Sequence, residues 1–174
     1  MKTNRLLQEI CLLLTAACVL ASCSTTSGPL FKPVPMSERE NQALIYIYRP
    51  DAFCAGGSSM IVYVDDQETA ELPNNGYTYV LLDPGRHEVH VTHYPGFSGV
   101  TTRFTATAED TYFVKWETEC GPGVVRTMLG VMRNKQARTE IATARLQATF
   151  TDEDREARAK RRKMLEEAMY AEPE

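Results

Sequence analysis

From Ala43 to Met132 the chain never runs far without a break. Pro50, Gly56-Gly57, Asp65-Asp66, Pro73-Asn74-Asn75-Gly76, Asp83-Pro84-Gly85 and Gly121-Pro122-Gly123 interrupt it at short intervals, and these are residue types that make turns. Between the breaks lie β-branched and aromatic runs: 43–49, 60–64, 77–82, 86–94, 101–107 and 111–118, with 68–72 a short return strand. About seven short strands at roughly 8–12-residue spacing predict an all-β sandwich. A parallel α/β sheet does not fit, because no long helix separates the strands. Residues 86–94 alternate, with His87, Val89 and Val91 on one face and Glu88, His90 and Thr92 on the other. Trp116 shares the face of Val114 and Tyr112, which places it in the core. Residues 124–132 read as a strand, and 136–148 as a short helix followed by a strand.

The N-terminus reads as an address. Lys2 and Arg5 precede a short apolar run, and the run ends in Leu20-Ala21-Ser22-Cys23. This stretch resembles the lipobox of bacterial lipoproteins. The resemblance implies cleavage between Ser22 and Cys23, diacylglyceryl attachment to Cys23 and N-acylation of the new terminus. Several acyl chains on one residue hold a protein durably on a bilayer. Ser24 follows the cysteine, and by resemblance to enterobacterial sorting this implies an outer-membrane protein facing the periplasm. Losing Lys2, Arg5 and Glu9 takes the 19 basic and 23 acidic residues to 17 and 22, a mature balance of −5. A body of that charge has no overall field for nucleic acid or anionic phospholipid.

Four segments follow from composition: a signal peptide at 1–22, a lipidated tether at 23–41, a sandwich at 42–149 and a charged helix at 150–174. Pro29, Pro33 and Pro35 make the tether extended and unpacked. The last segment opens on Thr151-Asp152-Glu153-Asp154, an N-cap followed by acids. Asp154–Arg158 and Glu156–Lys160 are i,i+4 pairs. Its apolar stripe is thin, so a solvated helix packed only near its end is expected.

The middle of the body carries a second resemblance. The residues that carry it are Ala43 to Pro50, Ile61-Val62-Tyr63-Val64-Asp65-Asp66, Asn75-Gly76-Tyr77 and Asp83-Pro84-Gly85-Arg86-His87. They resemble an uncharacterised bacterial lipoprotein domain family of unknown function and the wider PEGA-type surface domains. The resemblance implies an immunoglobulin- or prealbumin-like sandwich and brings no catalytic residues. Asp66 stands where PEGA-type domains carry glycine. Pro84 and Gly85 are read as a structural turn.

Candidate chemistry is sparse. Cys54 and Cys120 are the cysteines left in the body, both beside glycines; an oxidising envelope allows a disulfide, and two free thiols remain the alternative. No metal site is expected of His87, His90 and His93, because strand geometry puts His90 on the opposite face. Asp65-Asp66 and Glu109-Asp110 read as turns rather than acid/base couples. Ser58-Ser59 lacks a nucleophile-elbow context, and no phosphate loop or His-Glu-x-x-His occurs, so no cofactor is expected. Lys160-Arg161-Arg162-Lys163 is a basic block within a self-neutralised tail. The reading is a non-enzymatic, lipid-anchored envelope protein that binds or braces a partner, an envelope protein through a sheet edge. The alternative is a glycan or peptidoglycan binder using Tyr94, Phe97 and Trp116.

Overall fold

Strand β1 (Ala43–Tyr48) is buried along its whole length, and this organises the molecule. Ile45 and Ile47 point into the space between two sheets, while Leu44, Tyr46 and Tyr48 point to a second core on the outer face. A strand covered on both sides reads as a continuous apolar run rather than an alternating one. The computed structural model describes residues 27–93, 99–122 and 124–170. Nine strands occur among them: β1, β2 (Met60–Val64), β3 (Gln67–Leu72), β4 (Gly76–Leu82), β5 (Gly85–Thr92), β6 (Val100–Ala106), β7 (Thr111–Gly121), β8 (Val124–Val131) and β9 (Arg145–Leu146). Two helices follow β8: α1 (Asn134–Ile141) and α2 (Asp152–Tyr170).

The strands form a β-sandwich, one sheet ordered β8-β7-β1-β4-β9 and the other β3-β2-β5-β6. The smaller sheet is antiparallel throughout. The larger is mixed: β1 pairs antiparallel with β4 but parallel with β7, and β9 lies parallel to β4. Val62, Leu72, Val89, Val91, Val114 and Trp116 fill the inter-sheet core. Trp116 is 2% exposed, in the core as its periodicity requires.

The outer face of the larger sheet has its own cover. Ala137 and Ile141 of α1 pack there with Ala144. The segment before β1 completes it, and here the structure corrects the reading of an unpacked tether. From Gly28 onward that segment is packed. Phe31 N–H donates to Ala144 O at 3.0 Å, and Leu146 N–H donates to Pro29 O at 2.8 Å. The Phe31 ring meets Tyr46 and Tyr77 edge-on at 5.2 and 5.4 Å. Val34 N–H donates to the Tyr46 hydroxyl at 2.7 Å. Prolines deny this segment a regular ladder, yet its carbonyls still accept and its side chains cover tyrosines that would otherwise face water.

The C-terminal helix also differs from expectation. Thr151 and Asp154 cap it reciprocally, with Asp154 N–H donating to Thr151 Oγ1 at 3.2 Å and Thr151 N–H to Asp154 Oδ2 at 2.9 Å. Asp154 is therefore spent on the cap. Arg158 turns to Glu68 and Glu71 on β3. The helix is docked through its middle, while Met164 and Leu165 are exposed.

Candidate functional site

The end of the sandwich beyond β1 holds a clamped loop. Arg49 follows β1 directly and is 1% exposed. Its two terminal nitrogens donate to Ser58 O and Ala55 O, and its guanidinium carbon lies 4.7 Å above the Trp116 ring. Among the described residues, carbonyls and an indole face rather than a carboxylate hold this cation. Burial pulls its pKa below the usual arginine value. The loop is pinned again at Ala52, whose N–H donates to Asn74 Oδ1 at 3.0 Å, and at Asp51, which accepts from Asn74 Nδ2 at 2.6 Å. Gly56 packs tightly, since a Cβ there would stand 2.7 Å from Ala52 O.

Cys54 in this loop and Cys120 near the tip of β7 are joined as a disulfide with Cα atoms 6.0 Å apart, a separation typical of such bonds. The bridge ties the loop to the β7–β8 hairpin. It leaves Phe53 fully exposed at 106% and Val125, opposite Cys120, largely exposed.

A second polar constellation ties α1 to the large sheet. The Tyr48 hydroxyl donates to Glu140 Oε2 at 2.7 Å, and Lys115 Nζ lies 2.5 Å from Glu117 and 3.3 Å from Glu140. Burial and the Glu140 carboxylate push the Tyr48 pKa far up. Burial opposes the Lys115 charge, but Glu117 and Glu140 outweigh it and raise its pKa.

On the outer face of the small sheet, Glu68 accepts from Arg158 Nε and, at 2.6 Å, from Arg162. Arg158 also stacks its guanidinium 4.4 Å over Phe150. A cleft of about 530 Å³ lies beside these ion pairs, lined in part by Ser58, Ser59, His93 and Arg161. The basic block is thus partly committed: Arg162 belongs to the docking contact. Sequence reasoning missed Glu68, since its partners lie about ninety residues away and nothing local marks it.

The remaining sequence-named residues are dispersed. Asp65 and Asp66 both adopt left-handed φ, 49° and 64°, in the two-residue turn between β2 and β3, the backbone of a type I′ hairpin. Asp65 also accepts from Glu88 N–H at 2.9 Å and from His87 at 2.6 Å. Gly85, after Pro84, has φ 153° and opens β5, paired with Ala106. His90 contacts Thr101 and His93 lies edge-on to Trp116, so each of the three histidines has a different neighbour. No group of three or more potential metal ligands occurs among the described residues. No helix among them is long and apolar enough to cross a membrane. Ser22, Cys23, Tyr94 and Phe97 lie outside the described residues.

No curated protein matches this chain. Residues 39–130, which run from the end of the packed N-terminal segment to the penultimate residue of β8, match the model of a family described as protein of unknown function (DUF2846). That match covers 92 of the 174 residues, and the chain belongs to the DUF2846 family.

Proposed function

We propose that this chain is a lipid-anchored protein of the bacterial cell envelope, held in the outer membrane by acylated Cys23 and facing the periplasm. It acts there as a non-catalytic interaction or structural module. The observation that carries the reading is the ordered run of basic residues, apolar stretch and Leu20-Ala21-Ser22-Cys23. The packed start of the body adds to it. Four residues separate Cys23 from Gly28, and the five steps between them reach about 18 Å when extended, so the anchor would hold the sandwich close against the bilayer. The side chains best placed for acid/base work have structural employment: Asp65 caps the β5 backbone and Glu68 docks α2. The left-handed turn after Val64 supports a likeness to PEGA-type surface domains.

Burial removes Trp116 from the aromatics that a glycan-binding surface would use. The test is in-cell crosslinking with mass spectrometry on the wild type and on Cys23→Ser. An acyl mass on Cys23, and a protein crosslink lost in the variant, support the reading. An unmodified Cys23, or capture of muropeptide alone, overturns it.

A further inference from the structure

Strand β8 is an edge strand, eight residues long and last in its sheet. No strand among the described residues pairs with its outer edge. Edges of this kind are commonly blunted by proline, lysine or a bulge. Val124-Val125-Arg126-Thr127-Met128-Leu129-Gly130-Val131 carries one charge and none of those devices, and its register with β7 is unbroken. Val125, Met128 and Val131 are all exposed. A groove of about 540 Å³ lies against this strand, lined in part by Thr127, Met128 and Leu129 of β8, by Lys115 of β7 and by Val100 and Thr101 of β6.

The hydrogen-bonding groups of this edge follow from the hairpin. Gly121 faces Val124 across a two-residue turn, so the N–H and C=O of Val124 point to β7, as do those of residues 126, 128 and 130. Those of Val125, Thr127, Leu129 and Val131 therefore point outward. An antiparallel partner must match outward groups with outward groups.

We propose that the partner is a second copy of this chain, with β8 pairing antiparallel to β8 about a two-fold axis at Met128. In that register Val125 meets Val131, Thr127 meets Leu129 and Met128 meets Met128, each outward group facing another. Arg126 meets Gly130, so no like charges oppose each other. Centring the axis on Arg126 instead sets the two guanidinium groups side by side. Centring it on Thr127 leaves Val131 facing the turn. The Met128 register matches all three exposed apolar residues with apolar residues, and it joins two five-stranded sheets into one of ten. The inference deepens the reading of an interaction module by naming the partner. It does not require the lipid, although confinement on a membrane would raise the effective concentration.

The test is cysteine crosslinking of the full-length protein in its own membranes, read on non-reducing gels. Non-hydrogen-bonded antiparallel pairs hold Cβ atoms about 4.5–5.5 Å apart, close enough to oxidise. Met128→Cys is expected to give a species of twice the protein's mass. Arg126→Cys alone should stay monomeric, and Arg126→Cys mixed with Gly130→Cys should dimerise. Thr127→Pro, which removes an outward N–H, should abolish the Met128→Cys product while Trp116 fluorescence stays native. A monomer from Met128→Cys overturns the proposal. So does equal dimerisation by Arg126→Cys alone, or an adduct with a different protein. Cys23 acyl mass, read on the same samples, reports on the anchor separately.

Discussion

Glu68 on β3 accepts hydrogen bonds from both Arg158 and Arg162, one turn apart on α2. The carboxylate is almost buried, and the two guanidinium groups are about one-third exposed. Replacing Glu68 by Ala leaves both cations facing a surface without its central charge. A hydrogen bond to a charged group contributes about 1.5–3 kcal/mol, and every 1.4 kcal/mol is roughly tenfold in an equilibrium. We therefore expect Glu68→Ala to speed tryptic cleavage within α2 by about tenfold or more, with the sandwich still folded. Unchanged cleavage would mean that another contact holds the helix.

That contact marks the boundary of what the sequence shows. The strands between the Gly, Pro and Asn breaks were legible because turn chemistry and alternation are local. Trp116 was legible because period-two alternation sets it beside Val114. The parallel pairing of β1 with β7 was not, since it depends on which distant strand fills the place beside β1. The packing of Phe31 on Tyr46 and Tyr77 was not legible either: the prolines announce an extended chain but not where its side chains land. Arg49 carried no local sign of burial, because its partners are two carbonyls and a ring supplied by other segments.

Arg49 gives the second prediction. Arg49→Met removes the donors to Ala55 and Ser58 and the cation over Trp116, and Arg49→Lys cannot span both carbonyls. A buried hydrogen-bonded charge of this kind makes both variants less stable, by about 2–4 kcal/mol for Met and somewhat less for Lys. Denaturant unfolding followed by Trp116 fluorescence measures it. Equal stability of wild type and Arg49→Met would remove the clamp from the account.

The third concerns pH. His87 presents Nδ1 to Asp65 Oδ2 at 2.6 Å and Nε2 to Asp83 O at 2.8 Å. Both partners accept, so the doubly protonated ring satisfies both. Burial pulls the His87 pKa down, but the Asp65 and Asp83 contacts outweigh it and leave the pKa raised. A raised folded pKa adds stability that is fully present below the unfolded value of about 6.5 and fades as pH rises through the folded value. The stability gap between wild type and His87→Ala should therefore be wider at pH 5.5 than at pH 8.5. A gap that is flat or grows with pH contradicts the assignment.

The fourth concerns the disulfide. Cys54 and Cys120 are 66 residues apart, and closing a loop of that size restricts the unfolded chain by roughly 4 kcal/mol in the entropy model. Cys54→Ser/Cys120→Ser should lose about 2–4 kcal/mol. The loop around Phe53 should exchange amide hydrogen faster, while β1 stays protected. Equal stability with and without reductant in the wild type would show that the bridge does not form in solution.

The last separates two neighbouring aspartates that sequence alone makes look alike. Both sit at left-handed φ, a backbone that costs an L-residue about 1–2 kcal/mol, less for Asp. Asp65 offsets this with bonds to Glu88 N–H and to His87; among the described residues no such contact involves Asp66, which is exposed. Asp66→Gly should therefore relieve the turn and stabilise the protein by about 0.5–1 kcal/mol after the greater entropy of glycine in the unfolded chain is counted. Asp65→Gly relieves the same backbone but gives up both contacts, and should destabilise by about 1–2 kcal/mol. Thermal or denaturant unfolding of the pair reads the sign of each change. Two variants shifted in the same direction would show that the Asp65 contacts do not set the difference between them.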